Sequence, residues 1–384
     1  MKIGLFISLR EHIILNASIY HLLRRKGYRV YLYDVMEETG WFEKGVQYIT
    51  LDYDRAVESI NPEEEDFLDK LFEDSELDIV IFQGYSYYLL KLAKFAKAYR
   101  IPILHIGSGL RSYYPSEGEY IRQLVDHLTP YHATYLPKHT KNLIDEGFNP
   151  KYIKLIGYPG LDIIDKYLSS ADVKSSILDE MGLEPEDYIY FELENVDTIK
   201  YIDEIKKFSE DTGEYLIISL SKESKRYLVD NEEYMSIMEK YDITFVELLD
   251  YLDHLKIMSN AKALFTDKEW IAVEGLFLKK PTSIFLNSIS DLLVLDRDVV
   301  NVVTLSDGLS KELKKKYMYI SSDVEGMRVR YGGGGASDIL SDYLYSISDF
   351  SFEYPEVAIY IRKDNKLLKM DYESIPEKFR SHLV

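Results

Sequence analysis

The chain has no cysteine. That excludes disulfides, thiolate metal sites and cysteine nucleophiles, and it fits a cytoplasmic protein without requiring one. Tryptophan is scarce, with 2 against 34 tyrosines, so most aromatic rings carry a polar tip suited to half-buried positions with a wet edge. Positive charge is in deficit: 46 Lys and Arg face 66 Asp and Glu, a formal net charge of −20. A field of that sign disfavours non-specific binding to nucleic acid or to an anionic membrane, so an anionic ligand must be held by local arginines or helix N-termini. No apolar run is long enough for a transmembrane helix, and the first eight residues read as a strand rather than a signal peptide. The 8 histidines show no metal-ligand spacing, so neither a metal nor another cofactor is expected.

At 384 residues the chain suits two domains and a short extension. Apolar runs at 3–7, 29–33, 78–82, 101–106, 133–136 and 153–156 alternate with helical patterns at 13–25, 88–98, 116–128 and 140–147. Asn61, Pro62 and the acids Glu63, Glu64 and Glu65 predict a capped helix start. Serines 169, 170, 175 and 176 suggest a linker, after which a second series of strands and helices runs from 188 to 285. Such alternation predicts parallel sheets with right-handed crossovers: an α/β fold of two Rossmann-like domains facing across a cleft. The expected divisions are 1–168, 175–342 and a 343–384 extension, where two strand patterns flank Lys363-Asp364-Asn365 as a β-hairpin. Ligands of open α/β sheets bind outside the carboxyl ends of the strands, so function is expected in the loops at 8–12, 83–88, 107–119, 192–198, 219–222 and 266–271.

The densest of these loops follows the strand at 101–106. His105-Ile-Gly-Ser-Gly-Leu-Arg111 leads through Glu117, Gly118 and Glu119 to Arg122. A glycine loop with two arginines at this spacing can hold a diphosphate, and the same arginines can instead pair with Glu117 and Glu119.

Seven segments in order, these two among them, resemble the UDP-N-acetylglucosamine 2-epimerases, which share the GT-B-like fold. Arg10 stands where that family has the arginine of Gly-Thr-Arg-Pro-Glu. His105–Arg111 is similar to His-x-Glu-Ala-Gly-Leu-Arg, and Glu117–Arg122 with His127-Leu128 to Pro-Glu-Glu-x-Asn-Arg and its His-Leu. Gly157-Tyr-Pro-Gly-Leu-Asp162 resembles Gly-Asn-Thr-Val-x-Asp. Thr266, Asp267 and Glu274 match the ends of Thr-Asp-Ser-Gly-Gly-x-Gln-Glu-Glu, Lys280-Pro281 falls at Gly-Lys-Pro, and Tyr331–Ser337 resembles Asn-Pro-Tyr-Gly-Asp-Gly-x-Ala-Ser.

The resemblance implies a UDP-sugar ligand, a tendency to form homodimers, no nucleic-acid partner and no membrane insertion. It implies a reaction in which UDP is eliminated across C1–C2 of the sugar and added back on the other face, which needs carboxylates to move the C2 proton. Several expected carboxylates are replaced: Tyr85 stands for the aspartate after the 78–82 strand, and Gly107 for a glutamate. Glu117, Glu119 and Glu194 are the remaining candidates for proton transfer. Arg10, Tyr85, His105, Arg111, Arg122, Asp267, Lys268, Glu274, Gly333 and Gly334 are the candidates for substrate binding. Among them Glu274 is expected on the ribose hydroxyls, and the 332–335 glycines are expected to offer N–H groups to an anion. A diverged glycosyltransferase of the same fold and a non-catalytic nucleotide-sugar-binding homologue remain as alternatives.

Overall fold

Ile3 to Ile7 are wholly buried, as are all residues of the strands at Ile79–Gln83 and Tyr188–Leu193. Strands covered on both faces belong to parallel sheets flanked by helices, since crossover helices must lie on the faces. The computed structural model describes residues 1–35, 51, 53, 57–61, 63–247, 249–286, 292–296, 299–306, 308–317, 324–348, 359–363 and 366–370.

The first sheet is formed by β1 (Lys2–Ile7), β2 (Arg29–Asp34), β3 (Val57–Ser59), β4 (Ile79–Gln83), β5 (Ile103–Ile106), β6 (Tyr131–Thr134) and β7 (Ile153–Leu155). Its seven parallel strands lie in the order β3-β2-β1-β4-β5-β6-β7. The second is formed by β8 (Tyr188–Leu193), β9 (Tyr215–Leu220), β10 (Ile243–Glu247), β11 (Ala263–Thr266), β12 (Thr282–Leu286) and β13 (Asn301–Thr304). Its six strands lie in the order β10-β9-β8-β11-β12-β13, again parallel. The α/β fold with two Rossmann-like halves, expected from the alternation, is the fold observed. In each sheet the strand order reverses once, at β1/β4 and at β8/β11, and these are the switch points beside which ligands bind.

Apolar cores lie against both sheets. In the first, Phe6 stacks on Tyr33 at 4.9 Å and on Phe72 at 6.0 Å, and meets Phe82 edge-on. In the second, Phe191 stacks on Phe265 at 4.7 Å. Rings this size, wholly buried, each contribute roughly 2–3 kcal/mol through area removed from water.

Two expectations are corrected. Ser169 and Ser170 lie in no linker: Pro159–Lys174 is one helix, with Ser175 and Ser176 following its end. Leu161, Ile163, Ile164, Tyr167 and Ala171 form its buried face, while Ser169 is exposed on the other side. That helix packs on the first-half helix Arg10–Arg25 and on the second-half helices Tyr251–Asn260 and Glu269–Phe277, so it joins the halves rather than separating them. The helix expected from Asn61 starts later, at Glu65. Asn61 Oδ1 instead accepts from Glu63 N at 3.0 Å and its amide donates to Glu64 Oε1 at 3.1 Å, a turn that precedes the helix. Pro62 lies outside the described residues.

The chain forms two units, Met1–Ser341 and Asp342–Val384. In the second, β14 (Ile359–Lys363) and β15 (Lys366–Met370) pair antiparallel as the expected hairpin; Asp364 and Asn365 lie outside the described residues. Among the described residues no helix is long and apolar enough to cross a membrane.

Within the first unit the backbone at Gly157 meets that at Gly332: a Cβ on Gly332 would lie 2.7 Å from Gly157 Cα. Beside this crossing, Asp162 caps the helix Ala336–Ser348. Its Oδ1 accepts from Gly335 N at 2.6 Å and Ala336 N at 3.2 Å, and its Oδ2 from Ser337 N at 2.7 Å. Asp162→Ala is expected to cost about 0.5–2 kcal/mol, the range for losing a helix cap, and Asp162→Asn less. Urea unfolding of the two variants measures this; equal stabilities would show that the carboxylate does no capping.

Candidate functional site

At the carboxyl edge of the first sheet, β4 hands over to Gly84. Its carbonyl lies 2.6 Å from Nε2 of His105, on β5, and His105 Nδ1 lies 2.7 Å from Asp126 Oδ1. Both partners are acceptors, so both ring nitrogens donate. Asp126 Oδ2 accepts from Gly109 N at 3.1 Å and pairs with Arg111 at 2.8 Å. Arg111 then forks onto Glu146, through Nε at 2.8 Å and a terminal nitrogen at 2.6 Å, and donates to Leu110 O. Burial pushes the Asp126 carboxyl up, but His105 and Arg111 outweigh it and hold the group below its ordinary range. His105 and Arg111 are therefore interior struts of the glycine loop, with their donors largely engaged by protein.

A second group sits one helix turn away. Glu119 Oε2 accepts from Ser112 N at 2.8 Å, Ser112 Oγ at 2.9 Å and Arg122 at 3.0 Å, while Oε1 accepts from Gln123 at 3.1 Å. Burial raises its pKa, these bonds lower it, and the net is downward, so Glu119 is held as a carboxylate that orders Arg122. The Arg122 guanidinium lies over the Tyr85 ring, 4.5 Å from its centroid. Glu117 is exposed in the first helical turn. Arg10 opens its helix, and its side chain lies outside the described residues.

At the switch point of the second sheet, Asp267 follows β11 and fastens the loop after β8. It accepts from Glu194 N at 3.1 Å and Asn195 N at 2.8 Å. Burial raises its pKa to about 6 against those bonds. Lys268 Nζ lies 3.2 Å from Glu194 Oε2. Burial alone would lower the Lys268 pKa, but Glu194, Asp267 and, from the first half, Glu11 turn the shift upward. Glu269 is turned away from any ligand: it accepts from the backbone N–H of Leu293 at 3.0 Å, Val294 at 2.7 Å and Leu295 at 2.6 Å.

Glu274 is buried with partners on both oxygens, Tyr251 OH at 2.8 Å and His254 Nε2 at 3.3 Å. His254 Nδ1 lies 2.9 Å from Glu192, which also accepts from Tyr190 OH. The 332–335 glycines do not offer an empty nest. Gly333 N bonds Arg328 O, and the N–H groups of Gly335 and the two residues after it are filled by Asp162; Gly334 lies beside Asp165 and Arg328.

The candidates thus fall into four groups: His105 with Arg111, Tyr85 with Glu119 and Arg122, Glu194 with Asp267 and Lys268, and Glu274 beside His254. Asp126, Glu146 and His254 escaped the sequence reading, and Asp162 was placed by its motif but not by its role, because each is defined by partners far away in the chain. Among the described residues no cluster of three or more His, Asp or Glu is arranged to hold a metal.

The model of the family described as UDP-N-acetylglucosamine 2-epimerase matches residues 66–338. The chain belongs to the UDP-N-acetylglucosamine 2-epimerase family. The UDP-N-acetylglucosamine 2-epimerase of Methanocaldococcus jannaschii is 24% identical over 225 residues, covering 56% of this chain and 61% of that protein, so the chain spans about three fifths of that curated relative. The crystal structure of the M. jannaschii enzyme with UDP-GlcNAc and UDP superposes with a TM-score of 0.76 at 18% identity, covering 90% of this chain and 100% of that one. The Neisseria meningitidis enzyme bound to UDP-GlcNAc gives 0.76 at 17%, with the same coverage. At these identities the superpositions speak for the fold.

The two glutamates raise the His254 pKa to about 9, against burial, which alone would lower it. The folded value lies above the unfolded one, so the folded state holds the extra proton. That stabilisation is whole below about pH 6.5 and is lost as pH rises through 9. The loss amounts to something on the order of 3 kcal/mol at most. Melting temperatures between pH 6.5 and 9.5 are expected to fall more steeply for the wild type than for His254→Gln; parallel slopes would mean that no imidazolium lies between the glutamates.

Proposed function

We propose that the chain binds a UDP-sugar where the carboxyl ends of its two sheets meet, and that it acts on the sugar as a nucleotide-sugar isomerase. The Glu11–Lys268–Glu194 grouping carries this reading. It joins acids of both halves to one lysine at the second switch point, where ligands of such sheets bind. A diphosphate competes with Glu194 for Lys268, which binds phosphate as a point charge. Glu194 is then released beside the sugar, with Lys268 neutralised by the ligand, and serves as a proton-transfer group. Glu274 takes the ribose hydroxyls with the lone pairs left over by Tyr251 and His254. The family membership and the UDP-GlcNAc named in the related structures support the choice of ligand. The same reading includes action in the cytoplasm, no nucleic-acid partner, and association with a second copy of the chain.

One observation favours a second reading. Glu119 and Asp126 are saturated by protein donors, which leaves few carboxylates for moving a C2 proton. A glycosyltransferase of the same fold needs only one base.

Incubation with UDP-GlcNAc in deuterium oxide separates the readings. UDP is expected to raise the melting temperature by mass action. Lys268→Met is expected to weaken UDP by roughly 10-fold or more, as for loss of a charged hydrogen bond. Deuterium is expected at C2 of the sugar, and Glu194→Gln should slow its entry by ~10² to 10⁴-fold. UDP binding without C2 exchange overturns the isomerase reading, and UDP release to an acceptor would replace it with the transferase. Indifference to millimolar UDP overturns both.

A further inference from the structure

We infer that His12 is a further proton-transfer residue of this site, brought to the sugar at the first sheet's switch point by the missing side chain of Gly84. The inference rests on the isomerase reading. His12 lies in the first turn of the helix that follows β1, and Gly84 directly follows β4, the strand paired with β1. These strands are the pair at which the connections of the first sheet diverge, so their ends flank the ligand position of that half.

The imidazole stands where a side chain at residue 84 would be. A Cβ on Gly84 would lie 2.4 Å from His12 Nε2 and 2.5 Å from Cε1, and Gly84 has φ +69°, a conformation that favours glycine. The sequence at this turn is Gly84-Tyr85-Ser86, with no carboxylate, and Tyr85 is taken up beneath Arg122. The titratable group that fills the space of a residue-84 side chain comes instead from the other side of the switch point, in the first turn after β1.

The ring has a defined orientation. Nδ1 faces Ser8 Oγ at 3.5 Å, and Nε2 points at Gly84 with no hydrogen-bond partner among the described residues. With the proton on Nδ1, Nε2 presents a lone pair. Burial, helped by the neighbouring His105, pushes the pKa down to about 3, so the ring is neutral before ligand binds. A diphosphate entering beside it favours the imidazolium, because opposite charge raises a histidine pKa. The group thus becomes a competent base only with its ligand in place.

The step balances within the sugar, this ring and Glu194. Nε2 removes the proton at C2, and the C2–H electron pair becomes the C1=C2 double bond. The C1–O bond breaks, and its pair leaves with UDP. Addition of UDP back to C1, with a proton delivered to the opposite face of C2 by Glu194, closes the cycle, and exchange of these acids' protons with solvent brings in deuterium.

The test is deuterium entry at C2 of UDP-GlcNAc by the wild type, His12→Asn, Gly84→Ala and His12→Ala, with UDP-induced thermal shifts as the check on folding and binding. His12→Asn and Gly84→Ala are each expected to slow exchange by ~10² to 10⁴-fold while the UDP shift persists. Gly84→Ala should add little in the His12→Ala background, since it acts by displacing the ring. Imidazoles of graded pKa added to His12→Ala should restore exchange, with a rate that depends on their pKa. Rescue that ignores pKa would mean that the ring only fills space, and would overturn the inference. Wild-type exchange that survives His12→Asn overturns it alone. UDP binding without exchange in the wild type removes the isomerase reading and this inference with it.

Discussion

The Asp126 carboxylate is the point on which the first half's ligand-facing edge is built. It is almost wholly buried, and a bare carboxylate there would cost several kcal/mol of lost solvation. It is tolerated because His105, Arg111 and the Gly109 N–H converge on it, and because Arg111 passes its remaining charge to Glu146. The result is an alternation of acceptors and donors from Gly84 O through His105, Asp126 and Arg111 to Glu146. Truncating Arg111 would strip the buried Asp126 carboxylate of its arginine, a defect of about 3–5 kcal/mol. The alternation ties the ends of β4 and β5 and the helix Glu117–Leu128 into one body. The backbone of Gly84 and the seat of Tyr85 are fixed by it, although neither residue carries charge.

The second half uses carboxylates differently. Asp267, Glu269 and Asp162 are each spent on backbone N–H groups: the loop after β8, the 293–295 segment and the start of the helix Ala336–Ser348. Successive N–H groups of this kind make anion nests, and a phosphate would suit them as well as a carboxylate does. Here the protein's own acids occupy them. A net charge of −20 is consistent with that economy, in which acids serve as internal anchors and cations near the ligand position are few. On the proposed reading Lys268, rather than a glycine cradle, meets the diphosphate.

How far the sequence could be read follows from the range of each interaction. The strands expected at 3–7 and 78–82 are observed at Lys2–Ile7 and Ile79–Gln83, because burial on both faces writes an unbroken apolar run. The helices expected at 88–98 and 116–128 are observed at Tyr87–Ala98 and Glu117–Leu128, where the Ser86 and Ser116 hydroxyls accept from N–H groups three residues on. The helix Pro159–Lys174 was misread because Ser169 and Ser170 were weighed together with Ser175 and Ser176 beyond its end, while its apolar face is legible only at helical spacing. Short strands such as β3 and β13 were missed, having too few residues to show a period. In the site, family spacing located the loops, but what their residues do depends on partners that spacing does not contain. Arg111 has Glu146 35 residues away, and the 335–337 N–H groups have Asp162 up to 175 residues away. Residue type alone could not say whether an arginine was free or a nest was full.

The two halves of the first unit are held by contacts of several kinds. The helix Pro159–Lys174 buries apolar surface against both. Segment 293–296 adds polar ties, with Leu293 O beside His139 Nε2 at 3.0 Å and Asp296 beside Lys138 at 2.9 Å. Glu269 fastens that same segment to the start of its own helix, Glu269–Phe277. The ties run from the first-half helix Pro137–Asp145 to the helix bearing Lys268 and Glu274, so displacement of one half is felt at the second switch point through a short chain of buried bonds. Burial raises the Glu269 pKa to about 6, against the three N–H donors, which favour the carboxylate. On the proposed reading the ligand meets halves that are already joined, and its work is confined to the local exchange of Glu194 for phosphate at Lys268.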